Sequence, residues 1–292
     1  MLRNTTGMCE SPLGRRHLRR ELSVAPTNLD ELCERARVVA VELAAAEGCH
    51  VERVESAALT RRVLGRYNPW SGVIELNRDH TTRYLLSALA REGRDLGDVV
   101  DAIATLHHEH IHALGPNNRG SNDGFELLYG GLDHSPRNSG PLSFEDGLTE
   151  LWNELTLDKF IDKTGLRELE PRLDARDFRS RYVREGEAVR QICAWLQSAI
   201  GTSDLRSTVQ ILVRELPDTR GKVVGQKMVQ GLGWGGEINA PQFAGQLRGL
   251  FDSLFDFKEL SNHPDLGRES IELLKNAVDA MASTISTLAR PN

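Results

Sequence analysis

Four of the nine histidines in this 292-residue chain lie within six positions, in the stretch HHEHIHALGP that spans residues 107–116. Inside it, His108-Glu109-His110-Ile111-His112 fits the pattern H-E-x-x-H. On an α-helix, residues i and i+4 lie about 40° apart on one face, so His108 and His112 can both point an imidazole at one metal ion. Glu109 lies about 100° round from His108, where a carboxylate suits a general base better than a ligand.

The helix that must carry this motif is indicated by its own sequence. In DLGDVVDAIATLHHEHIHALGP (95–116), apolar residues recur at helical spacing and Gly115-Pro116 predicts the end. His107 shares the apolar face, so it is predicted to be a hydrogen-bonded core histidine, or one that orients a ligand, and not a ligand itself. His110 points away from the metal side and is predicted to be incidental. The alternative is a helix whose histidines lie partly on the surface and partly in the core, with no metal.

A catalytic zinc site needs three protein ligands and one open position, so a third ligand must come from elsewhere. SFEDGLTELWNELTLDKFIDKTG (143–165) predicts a second helix on which Asp146, Glu150 and Asn153 share one face. Such a face is ordinarily solvated, and Ser143-x-x-Asp146 also has the form of a capping box. Glu150 lies one turn further in and has the longer reach. Glu150 is therefore favoured as the ligand, with Asp146 as the alternative.

The segments before the motif helix predict an α+β fold. A helix is expected at 29–47, capped by Asn28 or Asp30, and a short helix at 80–92. Between them, short alternating runs predict a small antiparallel sheet whose last strand is 73–77.

The C-terminal half is predicted to be mostly helical, with helices at 178–200, 203–216, 240–257 and 267–289. Residues 115–143 form a long stretch rich in loop residues, which is typical of a functional loop. The predicted organisation is a flexible basic tail (1–27), a main domain (28–195) and a helical C-terminal region (196–292) packed on it.

Composition narrows the possible functions. The net charge of −6 argues against nucleic acid as a partner. Four scattered cysteines without a Cys-x-x-Cys pair argue against a disulfide framework or a cysteine zinc knuckle. No secretory signal or transmembrane run is visible, so a cytoplasmic protein without a membrane partner is expected, with export by another route left open.

The segments HHEHIHAL and EDGLTELWNEL together resemble the gluzincin metallopeptidases, the thermolysin-like branch of the zincins, over residues 60–195. The resemblance implies a zincin-like fold, a Zn²⁺ ion held by His108, His112 and Glu150 or Asp146, and Glu109 as general base. Where the family has Glu before Gly, this chain has Asp146, which leaves the third ligand open. The strand GVIELN (72–77) resembles the family's edge strand, which pairs with an extended substrate.

Sites of this kind often add a Tyr or His that hydrogen-bonds the oxyanion. Tyr182, in FRSRYVREGEAVRQI (178–192), is the candidate, with Tyr129 and His134 as rivals. The expected function is zinc-dependent hydrolysis of a peptide bond in a protein or peptide substrate. The alternative is a catalytically inactive zincin-scaffold protein with a binding or regulatory role. Which substrate is cleaved, and the oligomeric state, cannot be read from these residues.

Overall fold

A computed structural model describes residues 25–92, 95–115, 139–180 and 201–214, with scattered positions between 182 and 197. The predicted helices at 240–257 and 267–289, most of the predicted loop and most of the predicted tail lie outside the described residues. The predicted boundary near residue 195 therefore stays a prediction.

The first helix, α1 (Leu29–Ala44), begins where the sequence predicts it. The side-chain oxygen of Asn28 accepts a hydrogen bond from the Glu31 N–H at 2.9 Å, which satisfies one of the free donors at the helix start. The Glu31 carboxylate in turn accepts from the N–H of Thr27, also at 2.9 Å. Apolar side chains at helical spacing are buried along one face: Leu32, Ala36, Val39 and Leu43.

Within the described ranges, five strands form two small sheets. The strands are β1 (Gly48–Cys49), β2 (Arg53–Ala57), β3 (Gly65–Asn68), β4 (Val73–Asn77) and β5 (Leu114–Gly115). β1 pairs antiparallel with β5, and the other three form a sheet in the order β2-β4-β3.

The three-stranded sheet is mixed, so the prediction of an antiparallel sheet is wrong. β3 and β4 pair antiparallel, but β2 runs parallel to β4, with Arg53 opposite Val73. Residues 58–72, which include β3, separate the two parallel strands, and a crossover of about a dozen residues or more is what such a pairing needs. An alternating pattern marks the strands but carries no information on their direction.

The expectation that residues 73–77 form an edge strand is also wrong. β4 lies in the centre, with β2 and β3 hydrogen-bonded on its two sides, and Val73, Ile74 and Leu76 are buried. A strand covered in this way cannot offer its backbone to another chain. The edge position on the side of β3 belongs to Gly65–Asn68.

The residue that ends β4 anchors the loop before β3. The side-chain amide of buried Asn77 donates to three carbonyls of that loop, and its oxygen accepts from the N–H groups of Asp79 and His80. A short π-helix (Arg78–Thr82) follows and leads into α2 (Arg83–Leu89), which confirms the short helix predicted at 80–92.

The motif helix, α3 (Leu96–His112), is confirmed. The Asp95 side chain caps it by accepting from the Gly97 N–H at 2.8 Å. It ends three residues before the predicted Gly115, because Leu114 and Gly115 pair with β1 as a strand.

The second predicted helix is α4 (Ser139–Lys163), which begins four residues earlier than expected. Gly165, at φ 79°, takes the left-handed conformation just beyond it. After α5 (Leu166–Leu169) and a 3₁₀ turn (Ala175–Asp177), α6 (Leu205–Val213) confirms the helix predicted at 203–216.

The chain divides into two compact units. The first takes its described residues from Met1–Leu43, Val51–Ala113 and Thr156–Arg179, and contains the mixed sheet and α1 to α3. The second takes them from Ala44–His50, Leu114–Leu155 and Ser180–Asn292, and contains the β1–β5 pair and α6. The described elements are those of an α+β protein, and no helix among them has the length and apolar character needed to cross a bilayer.

The central strand supplies a test of the fold. Ile74→Ala removes a fully buried side chain from β4, and we expect it to lower the free energy of unfolding by about 2–5 kcal/mol. Glu55→Ala, at an exposed position of β2, serves as the control and should cost about 0.5 kcal/mol or less. Urea denaturation of both variants measures the difference, and equal midpoints would contradict a central position for β4.

Two buried cysteines supply a second test of the fold. Burial raises the pKa of the Cys33 and Cys193 thiols to about 12, so at pH 8 only about one thiol in ten thousand is the reactive thiolate. Cys49 is half-buried. We expect iodoacetamide to label Cys33 and Cys193 at least about 100-fold more slowly than Cys49 in the native protein, and all three at similar rates in urea. Site-resolved mass spectrometry measures these rates.

Candidate metal centre

The two motif histidines converge. Nε2 of His108 and Nε2 of His112 lie 3.0 Å apart, with their ring planes at 75° to each other. Two nitrogens bound tetrahedrally to one zinc ion at 2.0–2.1 Å would be about 3.3 Å apart, so the pair is close to the separation that shared coordination requires. When one ring carries its proton on Nε2, the same contact is an N–H···N hydrogen bond. Their placement one turn apart on α3 produces the arrangement, as the sequence predicts.

A carboxylate completes a group of three. Among the described residues, potential ligand atoms of His108, His112 and Asp146 all lie within 4.8 Å of one another. Asp146 is half-buried. The donor set of two imidazoles and one carboxylate is one that catalytic zinc sites use.

The capping-box interpretation of Asp146 is wrong. Helix α4 starts at Ser139, so residue 143 is already helical and cannot be the N-cap. Asp146 lies about two turns inside the helix, where its carboxylate is not needed to satisfy the first backbone N–H groups.

Glu150, the favoured ligand on grounds of reach, is not in the group of three. Its side chain is buried, and its carboxylate accepts a hydrogen bond from the Ser180 hydroxyl. Ser180 lies thirty residues further along the chain, and no pattern in the sequence links it to Glu150. The structure therefore brings the alternative residue, Asp146, to the histidines.

The polar side of α4 is not the solvated face that a row of carboxylates would ordinarily form. Glu145, Thr149, Glu150 and Asn153 are all buried. Buried polar groups are costly unless they are hydrogen-bonded or bind a cation, so this burial favours an interior role for the face. Sequence reasoning missed Glu145, since its position on the helix wheel gives no sign that it is buried.

His107 is a core histidine, as predicted. It is fully buried, its Nε2 lies 2.9 Å from the Thr156 hydroxyl, and its ring stacks on Phe160 with the centroids 4.0 Å apart. Burial lowers the pKa of His107 well below its usual value, with smaller contributions from His110 and His108. The imidazole is neutral at physiological pH.

His110, which is predicted to be incidental to the metal site, is also fully buried. Its Nδ1 lies 2.7 Å from the Leu106 carbonyl oxygen, which places a donor hydrogen on Nδ1. Burial lowers the pKa of His110 to about 4, so this ring too is neutral. The helix is packed over more of its circumference than its apolar pattern indicates.

Glu109 is buried, and strand β3 lies on one side of its side chain. A methyl group placed on Gly65 would lie 2.8 Å from a carboxylate oxygen of Glu109. The carboxylate thus lies against the strand at a position with no side chain. The sequence gives no signal of this contact, because the two residues lie in different elements 44 positions apart.

The predicted oxyanion residue remains a prediction. Tyr182 is half-buried, and its backbone carbonyl accepts a hydrogen bond from the Gly186 N–H at 2.7 Å. Its rivals Tyr129 and His134 lie outside the described residues.

The chain matches no model of a known protein family, no curated protein and no solved structure. Its function must therefore be inferred from the chemistry of the site itself.

The contact that holds His107 can be tested by removing its partner. Thr156→Val keeps the shape but removes the hydroxyl, which leaves Nε2 of His107 buried without that partner. We expect a loss of about 1–3 kcal/mol in the free energy of unfolding, measured with urea. Thr164→Val is the matched control, since the Thr164 hydroxyl bonds only backbone carbonyls of α4 and should cost clearly less. Equal losses would mean that the His107 contact is unimportant.

Proposed function

We propose that this chain is a zinc-dependent metallopeptidase that hydrolyses a peptide bond in a protein or peptide substrate. The observation that supports this most directly is the convergence of His108 and His112, with their Nε2 atoms 3.0 Å apart and a carboxylate oxygen of Asp146 in the same group. The presence of Glu109 next to the first histidine favours hydrolysis over a purely structural metal site.

His108, His112 and Asp146 would hold the ion, with Glu150 kept as the alternative carboxylate. Three protein ligands leave a tetrahedral ion one position for a reactant, which is the arrangement of catalytic and not of structural zinc sites. Bound Zn²⁺ would supply Lewis acidity, which polarises a carbonyl oxygen and makes a water molecule a better nucleophile near neutral pH.

Glu109 would act as the general base. Its carboxylate would take a proton from the attacking water and pass it to the nitrogen of the departing amine. Because Glu109 is buried, little water surrounds the carboxylate, and its interactions with the reacting groups are stronger than they would be in bulk solvent. Tyr182 is kept as the candidate donor to the developing oxyanion.

The strand next to Glu109 would guide the substrate. Among the described strands, β3 lies at the edge of the mixed sheet, and its Gly65 lies next to the proposed base. An extended peptide can add to such an edge through backbone hydrogen bonds, and it would then pass close to Glu109. In this proposal β3 takes the role that the sequence suggested for residues 73–77.

The role of Glu109 is tested by Glu109→Gln, which keeps size and shape but removes the base. We expect cleavage of a peptide library to fall by about 10²–10⁴-fold, with the zinc content unchanged at one per chain. Glu154→Gln, at an exposed carboxylate that pairs with Arg190 at 2.8 Å, should cleave like the wild type. Mass spectrometry of the peptides and elemental analysis of the proteins give the two readouts. Zinc binding without cleavage in the wild type would favour the inactive binding protein instead.

The third ligand is tested by a matched pair of amides. Asp146→Asn should weaken zinc binding by at least about 100-fold, and Glu150→Gln by less than about tenfold, measured by competition with a chelator. Both changes remove one carboxylate charge from the same helix, so they differ only in position. The reverse order of affinities would assign the ligand to Glu150.

A further inference from the structure

We propose that Gly65 is a positioning residue for the general base: the space where its side chain would be holds the carboxylate of Glu109. Gly65 has this role only if the proposed function holds. Nothing in the motif itself indicates it, because Gly65 lies in β3 and the motif lies in α3.

The contact involves more than the tip of the glutamate. A methyl carbon on Gly65 would lie 2.8 Å from Oε1 of Glu109 and 2.9 Å from its Cγ, both closer than real contacts allow. A carboxylate oxygen and the Cγ of Glu109 therefore both lie next to the space that a side chain at position 65 would fill. A side chain at position 65 would therefore need room that Glu109 now occupies.

The backbone dihedrals do not explain the glycine. The described glycines with positive φ are Gly72, Gly165 and Gly201, and Gly65 is not among them. Its backbone is one that an alanine can adopt, so the requirement at this position is space. A glycine inside a strand weakens the strand and often marks a close approach by another group.

The strand cannot easily move away from the helix. The carbonyl of Leu64 accepts hydrogen bonds from the Asn77 N–H at 2.8 Å and from the Thr81 hydroxyl at 2.7 Å. Gly65 itself is paired with Leu76 in the sheet. With the backbone held here by β4 and the π-helix, a larger residue at 65 would displace side chains of α3 and not the strand.

Thr105 is the other neighbour of this space. Its Cγ2 would lie 2.9 Å from the added methyl, and its hydroxyl donates to the Asp101 carbonyl at 2.8 Å, which fixes the side chain. Glu109 has more rotatable bonds than Thr105, so we expect Glu109 to be the side chain that moves when a methyl group is added at position 65. Since a misplacement of about 1 Å in a reacting group can cost about a hundredfold in rate, the expected effect is on chemistry first.

The kinetic test uses Gly65→Ala with zinc bound. We expect kcat for peptide cleavage to fall at least tenfold, with KM and zinc content unchanged, because the base moves and the ligands do not. In a Glu109→Gln background the same change should cause no further loss, since residues that act as one unit are not additive. Wild-type kcat in Gly65→Ala would overturn the proposal.

A second measurement is independent of activity. In metal-free protein, the shift in urea midpoint caused by Gly65→Ala should shrink by at least half when Glu109 is also changed to Ala. Thr105→Ser is the matched control: it removes Cγ2, keeps the hydroxyl and should relieve less of the shift. If Thr105→Ser relieves it and Glu109→Ala does not, Gly65 serves helix packing only and the proposal is wrong.

The two proposals can fail separately. If Glu109→Gln cleaves as fast as the wild type, the proposed base fails and the positioning role with it, even where the stability coupling is found. If Glu109→Gln is inactive but Gly65→Ala has wild-type kcat, the positioning role alone is overturned.

Discussion

The site depends on the convergence of two imidazoles that share one face of α3. Their Nε2 atoms meet only if the helix stays regular over its last turns. The other two histidines of the cluster help to enforce this, since both are fully buried. His107 contacts Thr156 and Phe160, and His110 bonds the Leu106 carbonyl of the preceding turn. The two histidines proposed as ligands and the two that pack in the interior therefore alternate along one short segment.

The charge state of His107 and His110 matters as much as their packing. Burial lowers the pKa of both His107 and His110, so neither carries a positive charge at neutral pH. A cation bound to the neighbouring pair would meet no repulsion from them. The proposed site could then take up a divalent ion beside four histidines without accumulating positive charge from the two buried ones.

The local parts of the structure were predictable, and the parts set by distant residues were not. Periodicity and caps located α1, α3 and much of α4, because helix formation depends on residues three and four positions apart. The same kind of pattern located residues 73–77 as a strand but not its central position or its parallel neighbour. At the candidate site, the H-E-x-x-H spacing predicted that His108 and His112 converge, as they do. The choice between Asp146 and Glu150 depended on the start of α4 and on Ser180, which only the folded chain reveals.

The close approach of β3 to α3 has a consequence for how sequences of this kind can diverge. Positions 65 and 109 share one volume, so a side chain can appear at the first only when the second no longer carries a glutamate in this rotamer. These two positions, 44 residues apart in the sequence, would then be expected to co-vary among related proteins. In descendants of a common ancestor, a bulky residue at position 65 would mark the members in which the proposed general base has moved or been replaced, even where both histidines survive.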